Sequence, residues 1–157
     1  MSILLKSEAF EDGKPIPTRF TADGEDISPP LTWDHLPPQT QELALVVDDP
    51  DAPRPEPFVH WVIYKIPPDA PGLLEAIGQH RQLRTPPGAL QGNNSMDQAG
   101  YMGPKPPRGH GVHHYHFHLY ALDEPLDVEP GLSKEALLAS IAGHVLDEAE
   151  VVGTYER

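Results

Sequence analysis

The chain has 157 residues, which is enough for one domain with a substantial core, and its formal net charge is −13. A field of that sign repels nucleic acid and anionic membrane surfaces, so neither nucleic-acid binding nor stable membrane association is expected. The 20 prolines exclude a mainly helical fold, and the lack of cysteine excludes disulfides and thiol nucleophiles. Residues 1–157 are therefore expected to form one mostly β domain.

The amino-terminal residues contain no basic segment followed by a long apolar run, and no later stretch is apolar over the length of a bilayer. We therefore expect a cytoplasmic protein. Residues 18–21 are expected to form a short strand, and the carboxylates of the turn at 23–26 are interpreted as solvated. The apolar run at 42–47 predicts a buried strand that ends in acidic residues.

Residues 58–66 are rich in β-branched and aromatic side chains and predict a central strand. Strand alternation places His60 on the face of Phe58, Val62 and Tyr64. A buried histidine needs a partner, and the acids at 48–51 supply candidates, although an Asx-type turn is the simpler reading of those acids.

We expect Asp49 to pair with His60, to raise the His60 pKa and to keep an imidazolium that can donate to an anion. Prolines beside the acids reduce the entropy cost of fixing them. One of these prolines, in the Ala52–Pro53 bond, is the expected site of a cis peptide.

The segment 67–109 is rich in loops and is expected to serve a function or to cover a site, with a helical turn within 72–77. Backbone N–H groups near Gly103 are expected to be free to cradle an oxyanion, with Lys105 and Arg108 at the rim. His110, in the same loop region, is interpreted as exposed.

Residues 113–122 predict a strand whose two faces differ in chemistry. His113 and Tyr115 adjoin the loop and are assigned to the pocket face. The opposite face carries His114, His116 and His118, which could bind a transition metal. Because the outer two lie too far apart for one ion, no metal site is expected there.

One helix is predicted near the end of the chain. Ser133 is a candidate N-cap, and Leu137, Ile141 and Val145 recur on one face. A short strand at 151–155 follows it.

Five segments together resemble the phosphatidylethanolamine-binding protein family, most closely its prokaryotic, Raf-kinase-inhibitor-like branch. They are residues 49–53 (DPDAP), 60–61 (HW), 100–104 (GYMGP), 106–109 (PPRG) and 113–115 (HHY). Each motif is weak alone, but their order and spacing are specific, and the resemblance extends over nearly the whole chain. It implies an antiparallel β-sandwich with one or two peripheral helices.

The resemblance also implies an anion pocket for phosphate-like or carboxylate-like groups. No cofactor or metal is expected. The ligand-binding residues that the resemblance implies are Asp49, Asp51, His60, Gly103, His113 and Tyr115. Prokaryotic members are often dimers, so a homodimer is an expectation, and some relatives inhibit kinases or serine proteases by binding.

Three functions therefore remain open. The first is a small-anion binding protein that is not an enzyme, and the alternative is a hydrolase that uses an Asp–His cluster and a water nucleophile. A third is an interaction module that regulates a kinase or protease through the Pro-rich loop.

Overall fold

A computed structural model describes residues 2–157 and contains nine strands and one α-helix in that part of the chain. The elements in chain order are β1 (Leu4–Lys6), β2 (Lys14–Pro15), β3 (Leu31–Asp34), β4 (Glu42–Asp49), β5 (Phe58–Ile66), β6 (Gly72–Leu73), β7 (Leu90–Gln91), β8 (His113–Leu122), α1 (Lys134–Ile141) and β9 (Val145–Tyr155).

The strands form two sheets. The larger has the order β2-β9-β8-β4-β5-β7 and the smaller has the order β1-β3-β6. All neighbouring strands are antiparallel except β2 and β9, which are parallel. The expectation of a mostly β fold with a peripheral helix is confirmed at that level, but the sheets are open and do not form a closed sandwich.

The main core is formed by side chains from both sheets. Leu31 and Trp33 of β3 pack in one cluster with Leu45 of β4, Trp61 of β5 and Phe117 of β8. All five side chains are almost fully buried, so this cluster joins the smaller sheet to the inner face of the larger one.

The helix α1 covers a second cluster on the other face of the larger sheet. Leu137 and Ile141 are buried there against strand residues such as Val46 and Val62. Burial on both faces explains why β4 and β5 read as continuous apolar runs.

The predicted N-cap of α1 is confirmed, because Ser133 Oγ accepts the N–H of Ala136 at 3.1 Å. Of the three residues predicted for the apolar face, Val145 is wrong, because the helix ends at Ile141 and Val145 begins β9. Gly143 has φ +82°, a conformation that turns the chain away from the helix axis.

Several predicted elements need correction. Thr18–Phe20 is a 3₁₀ turn and not a strand, closed by the N–H of Thr21 on the carbonyl of Thr18. Gly72–Leu73 pairs with β3 and is not helical. Among residues 2–157 the cis proline bond joins Thr85 to Pro86, so a cis bond is confirmed, but its predicted place at Ala52–Pro53 is wrong.

None of the helical segments within residues 2–157 has the length and apolar character that crossing a bilayer requires.

Candidate functional site

His60 owes its orientation to a β-bulge in β5. Val47 of β4 pairs with Trp61, whereas the next residue, Asp48, pairs with Val59. One step along β4 therefore matches two steps along β5, and His60 is the extra residue. A bulge of this kind reverses the alternation of side chains on either side of it.

The expected face of His60 is therefore wrong. Val62 and Tyr64 lie in the cluster beneath α1, whereas the His60 ring lies on the other side, 5.1 Å from the ring of Tyr115. Phe58 lies on the same side as His60, as expected, and the centroids of the two rings are 4.8 Å apart. The bulge therefore places His60 on the same side of the sheet as Tyr115, which was assigned to the pocket face of β8.

Asp49 pairs with His113 and not with His60. The Nδ1 of His113 lies 2.6 Å from Asp49 Oδ2, and both side chains are at most 4% exposed. Sheet order alone does not decide this, because β4 lies between β8 and β5 and neighbours both histidine-bearing strands; the Nδ1 of His60 is instead directed at the backbone carbonyl of Met102. The second oxygen, Oδ1, accepts the backbone N–H of Asp51 at 2.8 Å, so both oxygens of this buried carboxylate are bonded.

The partner of His60 is the backbone carbonyl of Met102, 2.6 Å from Nδ1. Since a carbonyl only accepts, the proton lies on Nδ1 and Nε2 carries a lone pair. Burial lowers the pKa of His60, against the opposing effects of the Met102 carbonyl and the charge of Asp49. The expected rise of the His60 pKa is wrong, and the ring is neutral in the unliganded pocket.

Tyr115 supplies a hydroxyl that stays protonated. Its side chain is 1% exposed and lines the pocket. Burial raises the pKa of Tyr115 well above its usual value, and the charge of Asp49 raises it further. The hydroxyl is therefore a neutral donor at any ordinary pH.

His110 is exposed, as expected from the sequence, but it also contacts the candidate site, which was not predicted. Its Nδ1 lies 2.6 Å from the Nε2 of His113, and the two ring centroids are 4.8 Å apart. Because the Nδ1–H of His113 is directed at Asp49, a neutral His113 accepts the Nδ1–H of His110. Asp49, His113 and His110 thus form a chain of hydrogen bonds from the core to the surface. The sequence signal was the three-residue spacing of the two histidines across Gly111, which has φ +98°.

The backbone N–H of Gly103 is not free. It donates to Asp26 Oδ1 at 2.7 Å, so the expected oxyanion cradle at this amide is wrong. Asp26 is exposed, as expected for a solvated turn residue, and it is also the anchor of the pocket loop. A Cβ at position 103 would collide with that carboxylate and would lie 2.9 Å from the carbonyl oxygen of Phe20, which is why glycine is needed here.

Asp51 lies beside the site rather than in its wall. Its Oδ2 accepts both the backbone N–H of His114, at 2.8 Å, and the Nδ1–H of that ring, at 2.7 Å. Since its own N–H bonds Asp49, Asp51 joins the end of β4 to the start of β8.

These side chains surround an open pocket of about 280 Å³. Its polar wall is formed by Asp49, His60, His113 and Tyr115, with Lys105 as a cationic residue, whereas Arg108 is not part of the wall. The remainder is mostly apolar and includes Pro53, Phe58, Met96, Met102, Pro106 and Pro107. Four of these six residues come from the loop-rich segment 67–109, which therefore covers the site as expected.

The family model described as phosphatidylethanolamine-binding protein matches residues 6–156. The chain therefore belongs to the phosphatidylethanolamine-binding protein family. It is 52% identical over 153 residues to a UPF0098 protein of Methanothermobacter thermautotrophicus, with 98% of each chain covered.

Two solved structures are similar over nearly their whole length. A putative phosphatidylethanolamine-binding protein homologue from Chlamydia trachomatis is 38% identical, with a TM-score of 0.89 and coverage of 99% of this chain and 98% of that one. YbcL of E. coli, described as a new member of the mammalian PEBP family, is 29% identical, with a TM-score of 0.91 and coverage of 100% and 99%.

Proposed function

We propose that this protein binds small ligands that carry a phosphoryl or carboxyl group, and that it holds this group against His113, His60 and Tyr115. The observation that carries the proposal is the buried Asp49–His113 pair at an open pocket. Fixing a buried carboxylate on one ring nitrogen has a desolvation cost, and it leaves the other nitrogen directed towards the loop at the pocket. Such an arrangement is expected for an imidazole that has to carry a positive charge when an anion arrives.

Each of the three groups has a distinct task in this proposal. The hydroxyl of Tyr115 donates without any change of protonation. The charge of an imidazolium at His113 is balanced by Asp49, and its Nε2–H donates to the ligand once the His110 ring has moved aside. His60, neutral in the free pocket, takes up a proton as the anion binds, so binding is coupled to proton uptake and tightens as pH falls.

The apolar wall of the pocket favours ligands that carry an apolar part beside the anionic group. Charge-assisted hydrogen bonds contribute about 1.5–3 kcal/mol each, so inorganic phosphate alone should bind weakly. Met96, Met102 and Phe58 provide surface for an apolar body next to the anionic group. Gly103 and Asp51 act indirectly in this proposal, by holding the loop and by positioning Asp49.

A hydrolase remains the second candidate, because an aspartate on Nδ1 of a histidine is the acid–base half of many hydrolytic sites. Within residues 2–157, however, the pocket wall contains no serine, threonine or cysteine. Hydrolysis would need a water nucleophile, whereas anion binding needs only the groups described. Regulation of a kinase or protease would be a further step, and the proposal is confined to the small ligand.

The test is an NMR titration of the imidazole resonances with inorganic phosphate and with phosphoethanolamine, at several pH values. We expect the His60 and His113 signals to move saturably and more strongly at lower pH. Asp49→Asn should weaken binding by about tenfold or more, because a charge-assisted hydrogen bond is worth about 1.5–3 kcal/mol. Asp123→Asn is the matched control, since Asp123 also accepts from a histidine Nδ1, at 3.0 Å, but at an exposed site.

Unmoved His60 and His113 resonances, or equal effects of the two asparagine variants, would discard the proposal. A panel of phosphoesters and carboxylic esters is assayed with the same proteins. Turnover that Asp49→Asn abolishes would favour the hydrolase.

A further inference from the structure

The outer face of β8 and β9, on the opposite side of the sheet from the pocket, carries a second polar cluster. His116 and His118 of β8 are about a quarter exposed, at 27% and 28%, and Glu150 of β9 lies across from them. The ligand atoms of these three side chains all lie within 4.8 Å of one another. The two histidine rings are nearly parallel, 5.8 Å apart between centroids, and Glu150 bridges their Nδ1 edges.

The contacts in this cluster are longer than good charge-assisted hydrogen bonds and leave room for a metal ion. Glu150 Oε1 lies 3.3 Å from His116 Nδ1, and Oε2 lies 3.1 Å from His118 Nδ1. Charge-assisted hydrogen bonds are about 2.7–2.9 Å long. Zinc bonds of about 2.0–2.2 Å place neighbouring ligand atoms of a tetrahedral site about 3.3–3.6 Å apart, so each oxygen of Glu150 lies near that spacing from the imidazole beside it.

A second carboxylate completes the arrangement from behind. Asp48 Oδ1 lies 3.4 Å from the Nε2 of His118, the ring nitrogen that faces away from Glu150. A metal-ligating imidazole usually donates its other N–H to a carboxylate, and Asp48 already lies where it can accept that N–H in a long hydrogen bond. Asp48 is itself fixed by Lys134 of α1, whose Nζ lies 2.7 Å from Oδ2.

We propose that His116, His118 and Glu150 bind a divalent first-row transition-metal ion such as Zn²⁺, with the fourth position open to solvent. Two imidazoles and one carboxylate are a frequent ligand set for zinc, and the net charge of −13 attracts cations to the surface. From the sequence, no metal site was predicted for His114, His116 and His118, because the outer two residues of this set lie too far apart along one strand. In the structure, His114 bonds Asp51 and is not part of the cluster. The third ligand is Glu150, which comes from the neighbouring strand β9. This site is independent of the proposed anion pocket.

A surface cluster elsewhere offers a matched comparison. Asp123, Glu124 and His144 also lie within reach of one ion, but they offer a single imidazole and both carboxylates are exposed. We expect that cluster to bind zinc more weakly, because imidazole is the better ligand for this ion.

The experiment is a calorimetric titration of the tag-free protein with Zn²⁺, paired with imidazole NMR spectra. One saturable site is expected, with shifts at His116 and His118. The substitutions His116→Gln, His118→Gln and Glu150→Gln should each weaken binding by at least about tenfold. His114→Gln and His144→Gln should leave it unchanged.

If a variant loses stability, the change in its Tm on addition of Zn²⁺ still reports whether it binds the ion. The ion should raise the Tm of the wild type and of the two controls, but not of the three ligand variants. Absence of saturable binding in the wild type would overturn the proposal. So would binding that survives His118→Gln. Binding that is lost only in His144→Gln, or only in an additional variant, His113→Gln, would also overturn it.

Discussion

The Nδ1 of His110 lies 2.6 Å from the Nε2 of His113, so an anion reaches that nitrogen only by displacing the His110 ring. We predict that His110→Ala binds inorganic phosphate more tightly than the wild type. One hydrogen bond is worth about 0.5–1.5 kcal/mol, so the gain should be about two- to tenfold. The measurement is the phosphate titration by NMR, with His144→Ala as a control on a remote, partly exposed histidine. Weaker binding by His110→Ala would instead make His110 a direct ligand contact.

Burial of a neutral His60 has a consequence for stability. Its pKa in the folded chain is lowered below the ordinary value of 6.5, so near and below that pH the unfolded chain binds more protons. The contribution of this residue is therefore complete above about pH 6.5 and decreases as pH falls. We predict that the free energy of unfolding of the wild type decreases more steeply with falling pH than that of His60→Gln.

Urea denaturation of both proteins over a series of pH values measures this difference, and subtraction removes the contributions of the other histidines. Added phosphate should reduce the loss in the wild type, because the bound anion favours the protonated ring. Parallel curves for the two proteins would show that His60 is not a buried neutral base.

Among the structural elements, the loop over the pocket depends on one glycine. Gly103 donates to Asp26, and a Cβ there would meet the Asp26 carboxylate and the Phe20 carbonyl. We predict that Gly103→Ala lowers the free energy of unfolding by about 1–3 kcal/mol and shifts the His60 resonance, because Met102, the neighbour of Gly103, holds His60. Lys105→Ala, in the same loop, should leave stability unchanged. An alanine at 103 without effect on either quantity would contradict this role.

The elements also show which parts of the site can be read from the sequence. Local alternation is sufficient for β8, and it correctly separates His113 and Tyr115 from His116 and His118. It fails for His60, because the bulge is set by the register between β4 and β5, which no local pattern encodes. The predicted partner of Asp49 was wrong for a related reason: β5 and β8 both lie beside β4, and the Nδ1 of His60 is taken by the loop carbonyl of Met102, a contact that no local pattern encodes.

Residues that act over long sequence separations were missed at the same scale. Asp26 lies 77 positions before the amide it holds, and Glu150 joins the outer cluster only because β9 pairs with β8. Their sequence surroundings are those of ordinary surface acids. The fold class, in contrast, follows from composition and from short motifs whose order is visible along the chain.

At the scale of the whole molecule, the charge of −13 acts with opposite sign on the two proposed ligands. The general field repels phosphate from a pocket in which Lys105 is an exposed cation, and it attracts Zn²⁺ to the outer face of β8 and β9. Raising the ionic strength from about 0.01 M to about 0.15 M shortens the Debye length from about 30 Å to about 8 Å. At constant pH we therefore predict that zinc affinity falls and phosphate affinity rises over this range, up to the point at which the added anion competes.

Titrations of both ligands in two salts with different anions check the prediction, since screening is common to the salts whereas competition is specific. The variant Lys105→Ala separates the local charge from the general field. It should lower phosphate affinity at both ionic strengths, by a factor that salt reduces only slightly, because a close contact is screened less than distant charges. Zinc affinity should not respond to this variant. If both affinities instead fall together with salt in the wild type, the local cations govern the pocket more strongly than the net charge, and phosphate binding would then follow Lys105 at every ionic strength.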